Sequence, residues 1–208
     1  MSFLHSDDSA MGDLGYERRM SDFYPTEAWV TRALLNTCLR HDALTSFLPS
    51  KVGECIWEPA AGDDRMASVL RQEGHNVVAS DLNDYGSAVV RSGVDFLETK
   101  GIMPLRCRAI VTNPPFGDTA EAFVRHALKV MMPVKGSVAM LLRHEWDCSK
   151  KRGDLFARPD YLGRIILTAR PRWIDGSTGS PRHNYAWFLW SAADRTDMAP
   201  RVYYAGKK

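Results

Sequence analysis

Short apolar runs that stop abruptly at turn-forming residues, separated by stretches of helical periodicity, restrict the fold of this chain more than any other feature. Cys55-Ile56-Trp57 runs into Glu58-Pro59-Ala60-Ala61-Gly62, after which Met66, Val69 and Leu70 recur at helical spacing. The β-branched run Asn76 to Ser80 closes on Asp81 and reads as a second strand reached through a crossover helix. Arg108 to Thr112 is a third, stopped by Asn113-Pro114-Pro115-Phe116 because proline has no N–H to give to a ladder. Ala120 to Met132 then reads as an amphipathic helix, Ser137 to Leu142, Arg164 to Thr168 and Tyr185 to Trp190 as further strands. Upstream, Pro25 and Thr26 open a helix, with Thr26 as N-cap and Trp29, Val30, Ala33, Leu34 and Leu35 at helical spacing. Strands alternating with helices imply an α/β fold, a mostly parallel, doubly wound sheet with helices on both faces.

A chain of 208 residues, 45% of them hydrophobic, suits one well-buried domain, expected over residues 21–208. Residues 1–20 carry few apolar positions and read as a flexible arm. Residues 143–184, rich in Arg, Lys, Pro and Gly, read as a substrate-binding insert at the edge of the sheet. No apolar run approaches the roughly 20 residues that cross a bilayer, and Met1 to Asp13 is polar and acidic; the expectation is a cytoplasmic protein with no membrane partner. Cys38, Cys55, Cys107 and Cys148 are widely separated, with no zinc spacing, so no metal site is expected and all four read as inert packing residues.

Two segments carry chemistry. The turn Glu58 to Gly62 at a strand end, with Asp81 closing the next strand about 20 residues later, is where a doubly wound sheet holds a nucleotide-like ligand, its ribose diol on the second carboxylate. No clustered phosphate-cradling glycines are present, which favours a nucleoside with an uncharged tail over a diphosphate. An ordinary strand-helix turn would look similar at this level. In Asn113-Pro114-Pro115-Phe116 each residue type has a separate use in activating an amine. The Asn113 carboxamide oxygen and the Pro114 carbonyl can accept the two N–H bonds of an exocyclic amine. These bonds orient the nitrogen and stabilise the positive charge that develops on it, Pro114 and Pro115 stiffen the loop, and Phe116 offers a face for a flipped-out base.

These residues resemble the amino-methyltransferases of the Rossmann-like class I fold, whose hallmark is (Asp/Asn)-Pro-Pro-(Tyr/Phe/Trp). Over about Tyr24 to Trp190 the chain is similar to small phage or prophage adenine-N6 DNA methyltransferases, on Trp57 to Gly62, Val78 to Leu82, Asp95 to Leu97, Thr112 to Phe116 and Tyr185 to Trp190. The resemblance implies S-adenosyl-L-methionine as cofactor. It places Glu58, Pro59, Ala60 and Gly62 around the methionine moiety, Asp81 on the ribose, and Leu82 against the adenine. Asp95 would accept from the adenine amine with Phe96 beside the ring, Tyr24, Pro25 and Thr26 would touch the cofactor from the N-terminal side, and Asn113 would border it. Many relatives have a second glycine two positions beyond Gly62; here a side chain at Asp64 would crowd the cofactor unless the loop turns outward.

On the acceptor side, basic residues outnumber acidic ones between Arg143 and Arg172. Arg143, Lys150, Lys151, Arg152 and Arg172, with Arg182 and His183 beyond, are the expected nucleic-acid contacts, although a solvated loop would carry similar charge. The partner implied is nucleic acid, DNA first and RNA second, bound by a monomer or homodimer. Methylation of an RNA base at adenine N6 or guanine N2 uses the same class of loop. Protein glutamine methylation is chemically parallel, but that family typically has Tyr where Phe116 stands, and a non-catalytic nucleic-acid-binding module retaining the fold is the reading from a different class.

Overall fold

The computed structural model describes residues 24–99, 103–173, 181–192 and 199–207. The expected arm, residues 1–20, lies outside them. The elements in chain order are α1 (Ala28–Arg40), β1 (Cys55–Glu58), α2 (Arg65–Gln72), β2 (Val77–Ala79), β3 (Cys107–Thr112), α3 (Asp118–Met131), β4 (Ser137–Arg143), α4 (Gly153–Phe156), β5 (Tyr161–Leu167), β6 (Tyr185–Ser191) and β7 (Arg201–Ala205), with short 3₁₀ turns between them. The strands form one sheet in the order β2-β1-β3-β4-β6-β5-β7. Strands β1 to β4 pair in parallel, β6 runs antiparallel between β4 and β5, and β7 lies parallel to β5.

The period-2 alternation of strand side chains sorts the core into two layers. Ile56, Ala109, Val111, Leu141, Trp187 and Leu189 point to the face covered by α1 and α2, where Val30, Leu34, Met66 and Leu70 meet them. Trp57, Ile110, Val138, Met140, Phe188 and Trp190 point to the other face, covered by Phe123, Val124, Leu128 and Met131 of α3. Strand β6 is buried at every position, which is why its sequence reads as one unbroken apolar run.

Helix α1 starts one residue later than the sequence suggests. Glu27 occupies the N-cap position, and the buried Thr26 side chain turns to Asn113 instead. Three cysteines are buried, but Cys148 is exposed and is not a packing residue. Strand β7 has no counterpart in the sequence reading. It is a short edge strand with only Tyr203 buried, so it lacks the apolar alternation that betrays the others. Its docking depends on Gly163, which has φ +116° at a register shift of β5 and lies so close to β7 that a Cβ there would meet the Arg201 carbonyl oxygen at 1.9 Å. Gly163→Ala is expected to cost about 2 kcal/mol or more through backbone strain and displacement of β7. Thermal unfolding checks this; an unchanged midpoint would show that β7 yields freely.

Candidate active site

The chain leaves β1 for β2 on one side and returns to β3 on the other, so a topological switch point opens between β1 and β3 at their carboxyl ends. A cavity of about 650 Å³ lies there. Its walls bring together Tyr24, Pro25 and Thr26, Glu58 to Gly62, Asp81 and Leu82, Asp95 and Phe96, and Asn113 to Phe116, segments that span more than ninety positions of sequence. Asn83, Tyr85, Thr119 and Phe123 also line it. The first two sit in the polar loop after Asp81 and the others on α3, where no local pattern separates a cavity-facing residue from a core one.

Local geometry explains how each group is held. Strand β1 ends at Glu58, and the turn places Asp64 at the N-cap of α2 in the left-handed region, φ 80°. Both Asp64 carboxylate oxygens accept from Arg71 Nη1 at 2.8 Å, and Asp64 is not among the cavity residues. The loop therefore turns outward, and the crowding expected from a side chain at this position does not arise. Asp81 closes β2 and is fixed by two backbone donors, Gly62 N–H on Oδ2 and Asn83 N–H on Oδ1, each at 2.9 Å. A carboxylate held this way is rigid yet keeps lone pairs for further donors. Leu82 next to it is 57% exposed, an apolar face at the cavity rim. Asp95 caps a 3₁₀ turn by accepting from Leu97 N–H at 2.9 Å, so one of its oxygens has a structural use. Phe96 is buried between Trp57 and Phe123, with centroid separations of 5.1 and 4.9 Å.

Asn113 follows the last residue of β3. Its Nδ2 donates to the Tyr24 carbonyl at 3.4 Å and to Thr26 Oγ1 at 3.3 Å. Because a carbonyl only accepts, these partners set the amide orientation and leave Oδ1 buried with no hydrogen-bond partner. Phe116 lies in an aromatic cluster with Tyr24 at 4.8 Å, Trp173 at 6.2 Å and Tyr185 at 6.3 Å between centroids. The Tyr185 phenol is pushed up to about 12, first by burial, and its oxygen is bonded by the side chains of Trp173 and Arg143.

Basic residues expected beside this site fall into two groups on opposite faces of the sheet. Arg143 ends β4 opposite Tyr185, and its Nη2 lies 3.2 Å from His183 Nε2. Arg172 and Arg182 are exposed, and the Arg172 backbone N–H donates to Glu27 at the start of α1, placing this group on the α1 side. Burial and the neighbouring Arg143 hold His183 below its ordinary range, so it partners Arg143 as a neutral ring and adds no charge. Lys150, Lys151 and Arg152 form a 3₁₀ turn on the α3 side, where Lys151 approaches Glu121 at 3.7 Å and the Arg152 guanidinium lies 4.5 Å from the Trp146 ring centroid. Arg158 and Arg164 are committed to Asp160 and Asp147. Within 143–184, residues Tyr161–Leu167 belong to the sheet as β5, and residues 174–180 lie outside the described ones. No group of metal-ligating side chains occurs among the described residues, and none of their helices is long and apolar enough to cross a membrane.

Comparison with known structures defines the class of fold. A protein from Listeria monocytogenes described as a class I S-adenosylmethionine-dependent methyltransferase superimposes with TM-score 0.60 at 14% identity, covering 90% of this chain and 67% of its own. A protein from Pyrococcus horikoshii described as an RNA methyltransferase gives 0.58 at 14% identity, covering 81% and 86%. The M protein of the type I restriction enzyme EcoKI gives 0.54 at 13% identity over 83% of this chain, which spans 45% of that protein. No family model and no curated protein sequence matches the chain. This protein thus has the Rossmann-like α/β fold of the class I methyltransferases.

Proposed function

We propose that the protein is an S-adenosylmethionine-dependent methyltransferase acting on an exocyclic base amine, adenine N6 in DNA first. The observation that carries this reading is the Asn113 carboxamide, whose nitrogen is tied to Tyr24 and Thr26 while its oxygen is buried and unpaired in the cavity wall. A buried acceptor without a partner costs about 1–3 kcal/mol, a cost that an amine donor would relieve.

The cavity suits the cofactor. Among the described residues that line it, Arg65 is paired with Asp63, and Asp81 and Asp95 add carboxylates that no lining cation offsets, a balance that favours a ligand bearing positive charge. When bound, S-adenosylmethionine supplies an electrophilic methyl group. Asn113 Oδ1 and the Pro114 carbonyl would accept the two N–H bonds of the amine, hold its nitrogen toward that methyl and stabilise the charge that grows on it. Phe116, braced by Tyr24, Trp173 and Tyr185, would stack on the base. The proton leaves after transfer, so no strong base is needed beforehand. Arg143, Arg172 and Arg182 on one side and Lys150 and Lys151 on the other would track phosphates.

A restriction-enzyme M protein and a protein described as an RNA methyltransferase share this fold, so an RNA base is the second reading. Radiolabelled methyl transfer to unmethylated duplex DNA, single-stranded DNA and RNA in parallel, followed by nucleoside mass spectrometry, tests both. N6-methyladenine in DNA supports the first, a methylated RNA base the second, and no transfer to any of them overturns the enzymatic reading on nucleic acids. Asp81→Ala is expected to weaken S-adenosylmethionine binding by at least about 10-fold, because it removes charge-assisted bonds worth ~1.5–3 kcal/mol. It also frees the Gly62 and Asn83 N–H groups. Equal affinity in a calorimetric titration would refute the role of Asp81.

A further inference from the structure

Among the described carboxylates around the cavity, Glu58 is distinguished by a buried oxygen that has no hydrogen-bond partner. Asp63 is paired with Arg65 at 2.9 Å, Asp81 is held by two backbone N–H groups, and Asp95 caps a turn. Glu58 is 2% exposed, accepts from the Ala67 backbone N–H, and leaves Oε2 buried without a partner. Ala67 is the third residue of α2, so Glu58 satisfies one of the helix's four orphan donors from outside the helix. The charged groups that face it are Asp64 and Arg71, already paired with each other, and Asp81. None is a cation free to balance a second negative charge.

We propose that Glu58 is a proton-linked counter-ion for the α-ammonium group of the cofactor's amino-acid end: protonated in the ligand-free protein, it ionises when that cation arrives and releases one proton to solvent. The proton balance is simple. The carboxyl O–H bond breaks, the proton goes to buffer, and the carboxylate and ammonium are left paired in the cavity. Burial, then the nearby Asp64, holds the carboxyl well above the usual carboxylate range, as this exchange requires. This inference rests on the reading of the cavity as an S-adenosylmethionine site.

The test is isothermal calorimetry at pH 6, where an α-ammonium with its ordinary pKa of about 7.7–8.0 is almost fully charged, in two buffers of different ionisation enthalpy. The probes are S-adenosylmethionine, S-adenosylhomocysteine and 5′-methylthioadenosine, which lacks the amino-acid end. Both amino-acid-bearing ligands are expected to release close to one proton per site and 5′-methylthioadenosine none. In Glu58→Gln, which keeps an oxygen for Ala67, the release should vanish and affinity for both should fall about 10- to 100-fold, the loss expected for one charge-assisted bond. Tight binding without proton release, release that persists in Glu58→Gln, or equal release with 5′-methylthioadenosine would overturn the role of Glu58 while leaving the cofactor site standing. Failure of all three ligands to bind the parent protein would overturn the site itself and this inference with it.

Folding supplies an independent readout. A carboxyl whose pKa is higher folded than unfolded binds more protons in the native state, so its stability contribution falls as pH rises above the unfolded value near 4.3. Removing the titration with Glu58→Gln should flatten that decline and raise the ligand-free melting temperature at neutral pH. A lower melting temperature together with a steeper decline would contradict protonation of Glu58.

Discussion

Replacing Asn113 with alanine is expected to slow methyl transfer roughly 100- to 1,000-fold, the loss typical of removing one positioned group that stabilises developing charge. Binding of S-adenosylmethionine should change little, because the residues that line the rest of the cavity, Asp81 and Glu58 among them, are untouched. The separation of the two effects is the informative part. A residue that only shaped the turn after β3 would, when truncated, disturb cofactor affinity and turnover together. Asn113→Asp adds a control: it retains an acceptor oxygen but loses the Nδ2 donor that reaches Tyr24 and Thr26, so it should be impaired less than the alanine variant. Single-turnover rates and cofactor titrations of the two variants check this. Undiminished turnover in Asn113→Ala would remove the basis for the amine-activation mechanism.

Trp187→Ala is expected to destabilise the protein by about 3–5 kcal/mol, a large share of the ~5–15 kcal/mol that holds a typical domain together. Trp187 is fully buried at the centre of β6, and its indole N–H donates to the Val30 carbonyl at 3.0 Å. It therefore clamps α1 to the sheet by packing and by a hydrogen bond across 157 positions of sequence. For a chain of this length the melting temperature should fall by on the order of 10 °C. Function should suffer beyond the loss of stability, because α1 follows directly on the Tyr24–Thr26 segment that orients Asn113. A fall in melting temperature of under two or three degrees would show that the α1 layer repacks around the gap.

Much of the fold was legible in the sequence because burial leaves a periodic trace. Strands β1, β3, β4 and β6 lie inside the sheet and read as apolar runs, and α3 shows its buried face at helical spacing. Strand β7 was not legible, since an edge strand with one buried side chain leaves no pattern. Thr26 was misplaced as a helix cap for a related reason. Its hydroxyl faces Asn113, and a partner 87 positions away cannot be seen in a local window. The basic stretch was legible as charge but not as arrangement, because the strand alternation that sends Arg143 and the Lys150 turn to opposite faces is a property of the assembled sheet.

By itself the sequence determined which residue types were available at each strand end: small residues after β1, a carboxylate after β2, and Asn-Pro-Pro-Phe after β3. Those choices follow from local rules of strand termination and loop stiffness, which act within a few residues. Only the tertiary structure decided what those residues do together. It turned Asp64 outward onto Arg71, tied the Asn113 amide nitrogen so that its oxygen stayed bare, and enclosed Glu58 with one carboxyl oxygen buried and unbonded. Each outcome depends on desolvation and on partners contributed by distant segments, and both exist only once the sheet has brought its carboxyl ends together.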